Sequence, residues 1–175
     1  MKRFLIVVDM QKDFVDGALG TPEAVKIVPA VVRKIEEFDG DRIFVTLDTH
    51  GENYMETAEG KKLPVPHCIR ETAGWKLDRA VEKALKGKPY TIVEKPTFGA
   101  VTLPGLIEEA AGGAPFSTEV VGLCTDICVV SNALLIKAHF PEMPISLDES
   151  ACAGVTPEKH EAALETMRSC QIDVK

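Results

Sequence analysis

Short uninterrupted apolar runs alternate along this chain with longer stretches whose apolar residues recur every three or four positions. Residues 4–8 (FLIVV) form the first run, 43–47, 90–93, 119–122 and 144–147 repeat it, and 172–174 is a shorter sixth. Runs of this length, rich in β-branched and aromatic residues and unbroken by polar alternation, read as strands buried on both faces. Between the first two, Ala24, Val25, Ile27, Val28, Val31, Val32, Ile35 and Phe38 fall at helical spacing, and Thr21-Pro22 ahead of them pairs an N-cap with proline at the first helical position. The same spacing predicts helices over 75–85, 103–111, 127–139 and 157–169.

Strand alternating with helix along the whole chain implies a parallel sheet covered on both faces, an open, doubly wound α/β domain spanning residues 1–175. Such sheets bind ligands outside the carboxyl ends of their strands. Those positions hold Asp9, Asp48, His50, Lys95 and the segment 123–128, while 51–73 is the longest stretch without clear periodicity. Long irregular segments in compact domains are often functional.

Composition narrows the function. Apolar residues are 45% and charged residues 27% of the 175, as in soluble globular proteins. No stretch approaches the roughly 18 consecutive apolar residues of a membrane span, and Lys2-Arg3 runs straight into the first strand without a signal-peptide layout. A cytoplasmic protein without a membrane partner is expected. The net charge of −7, with no basic stripe, argues against nucleic acid. Five cysteines, Cys68, Cys124, Cys128, Cys152 and Cys170, are odd in number and sit in apolar contexts, which suits buried free thiols in a reducing compartment.

Cys128 stands apart from the others. The segment Gly122-Leu123-Cys124-Thr125-Asp126-Ile127-Cys128 joins a strand to a helix and puts this thiol in the first helical turn. Unpaired N–H groups and the helix dipole there lower a thiol pKa, a nearby lysine lowers it further, and the same N–H groups can hold an oxyanion. Taken singly, each residue has a plainer reading: Cys128 as a small core residue, Asp9 as a turn or helix cap, and Lys95 as a solvated surface group.

Together, the strings IVVDMQKDF (6–14), Lys95 after a strand, and GLCTDICV (122–129) resemble the three signature segments of the isochorismatase-like cysteine hydrolases, in the same order along essentially the whole chain. The resemblance implies a six-stranded parallel sheet and a Cys-Asp-Lys triad on Cys128, Asp9 and Lys95. It also implies a cis peptide between Leu123 and Cys124, with the N–H groups of Cys124 and Cys128 turned toward the oxyanion, and a homo-oligomer, dimer or tetramer.

A second cluster comprises Asp48 and His50, then Glu52, Glu59 and His67. Imidazoles with carboxylates suit zinc, manganese or iron with positions left open, although the spacing alone equally allows surface or hydrogen-bonded histidines. The string 48–68 resembles the metal loop of nicotinamidases. That resemblance implies one divalent ion, zinc first, held by Asp48, His50 and His67, with Glu59 at the place of a further ligand one residue out of register. Many nicotinamidases carry an aromatic residue just ahead of the last histidine, where this chain has Leu63-Pro64-Val65-Pro66. Phe14, Trp75 and Phe98 are the aromatics nearest to motif residues and the candidates for facing a planar substrate. The expectation is a metal-assisted amidase for a small-molecule amide, nicotinamide first. The alternatives are a carbamoyl or ureido amidase, a vinyl-ether hydrolase of the isochorismatase type, or a non-catalytic binding protein on the same fold.

Overall fold

In the computed structural model, which describes residues 1–175 throughout, six strands form one sheet. They are β1 (Lys2–Val8), β2 (Arg42–Asp48), β3 (Tyr90–Lys95), β4 (Phe116–Leu123), β5 (Ile145–Ala153) and β6 (Asp173–Val174). All neighbours pair in parallel, in the order β3-β2-β1-β4-β5-β6. The helices are α1 (Lys12–Val15), α2 (Pro22–Glu37), α3 (Ala58–Lys62), α4 (Arg79–Ala84), α5 (Leu103–Ala111), α6 (Val130–His139) and α7 (Pro157–Ser169). None is long and apolar enough to cross a membrane.

The apolar run of β1 is continuous because the strand is covered on both sides. Phe4, Ile6 and Val8 pack with Leu103 and Ile107 of α5, Ile136 of α6 and Leu164 of α7. Leu5 and Val7 face the opposite way, onto Ile27, Val31 and Ile35 of α2 and Val81 of α4. Each such side chain removed from water contributes about 1.5–3 kcal/mol, so the two layers clamp β1 at the centre of the sheet. Strand order runs outward in both directions from the β1–β4 pair, and the crevice above that switch point is where a ligand fits in an open α/β sheet.

Several elements depart from their predicted limits, β4 among them, which begins at Phe116 rather than 119. The helix expected over 75–85 begins only at Arg79, because the Asp78 carboxylate caps it by accepting the N–H groups of Ala80 (2.8 Å) and Val81 (3.3 Å). Ahead of that cap the chain turns through 73–75 and is then pinned to the segment after β1: Leu77 bridges to Gln11, and Lys12 N–H donates to Lys76 O at 2.9 Å. Strand β5 continues to Ala153 rather than stopping at 147, passing an irregularity in its register with β4. Exposed Glu149 and Ser150 interrupt its apolar pattern there. Before α6, residues Thr125–Val129 form a wide π turn. The irregular stretch 51–73 contains a 3₁₀ turn, Tyr54–Glu56, and α3.

Candidate active site

Asp9 leaves β1 in a left-handed backbone conformation, φ 46°, which turns its carboxylate over the end of the sheet. Beside it, β4 comes so close that a Cβ on Gly122 would lie 2.2 Å from Val8 O, at a φ of 120°. Only glycine fits there. Thr46 of β2 donates its hydroxyl to Asp9 Oδ1 at 2.6 Å, and its Oγ1 also takes the Asp9 N–H.

Lys95, at the end of β3, is 1% exposed and stands at the centre of the site. Its Nζ lies 2.7 Å from Asp9 Oδ2, 3.3 Å from Asp48 Oδ1, 3.4 Å from Cys128 Sγ and 3.1 Å from Thr97 O. The contact to Asp9 Oδ2 is an ion pair set off the line of a good hydrogen bond, so that buried oxygen keeps a lone pair uncommitted. Burial would lower the ammonium pKa, but Asp9, Cys128 and Asp48 outweigh it and hold the proton on. Asp9 is pushed above the usual carboxylate range by burial, and Asp48 adds to this against Lys95. Asp48 goes the other way: burial would raise it, but His50, His67 and Lys95 hold it well below.

For Cys128 the structure reverses the expected sign. At 5% exposure, burial is the largest effect and raises the thiol well above its ordinary value; Asp9 adds to it and Lys95 opposes it without prevailing. The resting nucleophile candidate is therefore a thiol. Cys124, pushed up to about 12 by burial and then by Asp126, is no better activated. The Leu123–Cys124 peptide is cis, and no protein group accepts the Cys124 N–H, while Cys124 O accepts the N–H groups of Ile127 and Val129.

One ångström-scale step beyond Lys95 lies the second cluster. Donor atoms of Asp48, His50 and His67 all fall within 4.8 Å of one another. His50 Nε2 is 2.9 Å from Asp48 Oδ2, His67 Nε2 is 3.4 Å from the same oxygen, and Glu59 Oε1 is 3.7 Å and 3.6 Å from the two imidazoles. His50 Nε2 is buried without a hydrogen-bond partner. His67 Nδ1 lies 2.8 Å from Val65 O; with the proton there, Nε2 offers a lone pair to the cluster. An orphaned imidazole nitrogen beside two carboxylates fits a divalent ion of the zinc, manganese or iron type.

The three aromatics fall differently. Phe14 is buried and packs a tilted ring on His67, centroids 5.4 Å apart. Trp75 donates its indole N–H to Thr49 Oγ1 at 2.8 Å, beside the end of β2. Phe98 is 44% exposed on the segment following Lys95. Sequence reasoning missed Thr46, Tyr54, Gln11 and Asn132. Tyr54 packs edge-on against both imidazoles. Gln11 accepts the Asp48 N–H at 2.7 Å and donates to the carbonyls of Asp48 and Trp75, tying β1 to the metal-ligand candidates. Gln11 lay within the first signature string; nothing in periodicity marked the others.

The chain belongs to the isochorismatase family: the isochorismatase domain matches residues 3–174. Its six-stranded sheet is that of solved nicotinamidases. The nicotinamidase/pyrazinamidase of Bacillus subtilis is 29% identical and superposes with a TM-score of 0.84 over 99% of both chains. A pyrazinamidase of Pyrococcus horikoshii, solved in complex with zinc, is 29% identical with a TM-score of 0.77, covering 100% of this chain and 99% of that one. The nicotinamidase/pyrazinamidase of Mycobacterium tuberculosis is 27% identical over 186 residues, 98% of this chain and 97% of its own.

Proposed function

We propose that this protein is a cysteine amidohydrolase for planar aromatic carboxamides, with hydrolysis of nicotinamide to nicotinate and ammonia as its leading reaction. One observation carries the reading: a single buried ammonium, Lys95, joins Cys128 (3.4 Å) and Asp9 (2.7 Å) to Asp48 of the nitrogen-and-oxygen donor cluster (3.3 Å). Similarity to nicotinamidases and pyrazinamidases, one with zinc, supports the choice of substrate class.

Cys128 Sγ attacks the amide carbonyl as its proton passes to Asp9, whose uncommitted Oδ2 accepts it. Burial raises Asp9 and so makes it a better base than an ordinary carboxylate, burial of the Cys128 thiol works against the transfer, and Lys95 beside both stabilises the sulfur anion while it lasts. The Cys124 N–H, free of protein acceptors, stabilises the tetrahedral oxyanion together with that of Cys128. Asp9 returns the proton to the leaving nitrogen, the C–N bond breaks, ammonia departs and a thioester remains on Cys128. Water, deprotonated by Asp9, attacks the thioester; the C–S bond breaks, the acid is released, and Asp9 returns the proton to the thiolate. Asp48, His50 and His67, with Glu59 directly or through water, would hold a divalent ion, zinc first, whose chemistry is to orient a ring nitrogen and acidify bound water.

Ammonia release from purified protein over nicotinamide, pyrazinamide, benzamide, and a carbamoyl and a ureido compound tests this. Nicotinamide and pyrazinamide should turn over best, with benzamide, which lacks the ring nitrogen, well behind. Release from the carbamoyl or ureido compound alone would overturn the proposal.

A further inference from the structure

Asn132 is fully buried on α6, one helical turn after Cys128, and the chemistry above assigns it nothing. Its side-chain amide makes three hydrogen bonds. Nδ2 donates to Cys128 O at 2.8 Å and to Phe98 O at 3.1 Å, while Oδ1 accepts the Ala100 N–H at 2.9 Å. These partners fix which way the amide faces, since only its nitrogen can meet two carbonyls and only its oxygen an N–H. A polar side chain at 0% exposure, with Ala133 and Ile136 beside it in the apolar layer, is stable there because its bonds are made.

Two of the three partners lie on the segment 96–102 between β3 and α5. Ala100 anchors that segment in the core at 1% exposure, whereas Phe98 and Val101 stand 44% and 76% exposed. Lys95 Nζ donates to Thr97 O, and Asn132 Nδ2 donates to the next carbonyl, Phe98 O. The segment that follows the catalytic lysine candidate is thus clasped at consecutive carbonyls, and one of the two clasps also grips the backbone of the nucleophile candidate. Cys128 needs such a grip: it lies in a π turn, whose wider hydrogen-bond ring is rarer than the α-helical one.

We propose that Asn132 is a positioning residue that locks the Cys128 turn and the Phe98-bearing segment into one unit, so that the thiol and the segment after Lys95 keep one fixed relation when an aromatic amide binds. This rests on the reading of Cys128 as nucleophile. Two variants separate the two grips. A threonine hydroxyl on a helix reaches back to the carbonyl four residues earlier, here Cys128 O, but cannot span to Phe98 and Ala100. Asn132→Thr therefore keeps the grip on the nucleophile and releases the segment; Asn132→Leu releases both.

The expected results are a kcat within about threefold of wild type and a KM for nicotinamide raised about tenfold in Asn132→Thr, and a kcat lowered about a hundredfold in Asn132→Leu. Hydrogen–deuterium exchange of a peptide covering 96–102 should be faster in both, since Ala100 N–H loses its acceptor. Should Asn132→Leu fail to fold, Asn132→Thr decides alone through its KM and exchange rate. Unchanged exchange in 96–102, or melting temperatures that fall while kcat and KM stay within threefold of wild type, overturns the proposal. A wild type that releases ammonia from no amide sinks the amidase reading instead, and the exchange contrast still reports on the clasp.

Discussion

Replacing Lys95 by methionine, which keeps the length of the side chain and deletes its charge, probes the centre of the site. In the native protein Lys95 Nζ faces Asp9 at 2.7 Å and Asp48 at 3.3 Å. At an effective dielectric of about 20 these separations correspond to attractions of about 6 and about 5 kcal/mol with both carboxylates charged, set against several kcal/mol per ion for taking the charges out of water. Deleting the cation leaves the carboxylates with the desolvation and without the attraction, a situation that costs about 3–5 kcal/mol. For a chain of 175 residues, at about 2–4 °C per kcal/mol, Lys95→Met should lower Tm by about 6–20 °C. Adding Asp9→Asn removes one of the stranded charges, so the double variant should be more stable than Lys95→Met alone. Asp9 already has a folded pKa above its reference 3.8, and without Lys95 it is pushed higher still. A raised acid contributes stability that is fully present below the unfolded value and lost as pH rises through the folded one. The deficit of Lys95→Met against wild type should therefore be smallest near pH 4 and widen toward neutrality. Urea denaturation of the four proteins of this cycle, at matched metal content from pH 4 to 8, measures it. A Lys95→Met protein within 1 kcal/mol of wild type at pH 7, or simple additivity in the double variant, would refute the reasoning.

Other consequences can be checked on the same protein. Cys128→Ala should abolish ammonia release while Cys124→Ala retains part of it; a Cys128→Ala enzyme with near wild-type turnover would remove the nucleophile assignment. Because burial holds Cys128 protonated and Cys170 is exposed, iodoacetamide at neutral pH should label Cys170 first, as read by peptide mass spectrometry. Bound zinc, manganese or iron should be found by elemental analysis of protein prepared without chelator and be lost in His50→Ala and His67→Ala, and full metal content in both variants would place the ion elsewhere. Burial would raise Asp148, but Lys34 at 2.8 Å and Ser150 hold it below 3.8, so its contribution is present above that pH and lost as pH falls through the folded value. Asp148→Asn should accordingly flatten the stability profile on the acid side, and an unchanged profile in urea melts from pH 2 to 5 would contradict the assignment.

Much of the site was legible in order but not in state. Asp9, Lys95 and Cys128 are readable because each follows an apolar run, and in a parallel sheet the ends of such runs gather at one edge. The sign of the Cys128 shift was not readable. Helix position and a neighbouring lysine both argue for a lowered pKa, but an exposure of only 5% is a property of the packed whole, and desolvation outweighs the lysine. Likewise β5 reads as ending at 147 because Asp148, Glu149 and Ser150 break its apolar pattern, whereas pairing of Cys152 and Ala153 with β4 carries the strand on.

What this sequence determines by itself is therefore the periodic part: two-sided strands, the helices between them, the parallel sheet they imply, and the strand ends where chemistry gathers. The hydrogen-bonded frame around that chemistry belongs to the tertiary structure. Thr46 meets Asp9 across 37 positions, Asn132 meets Phe98 across 34, and Asp13 takes the Cys68 N–H across 55, beside His67 of the metal-ligand candidates. Burial patterns recur with a period set by local geometry and can be read along the chain. A single hydrogen bond between distant residues has no period, and it exists only once the sheet and its helices have brought donor and acceptor within about 3 Å.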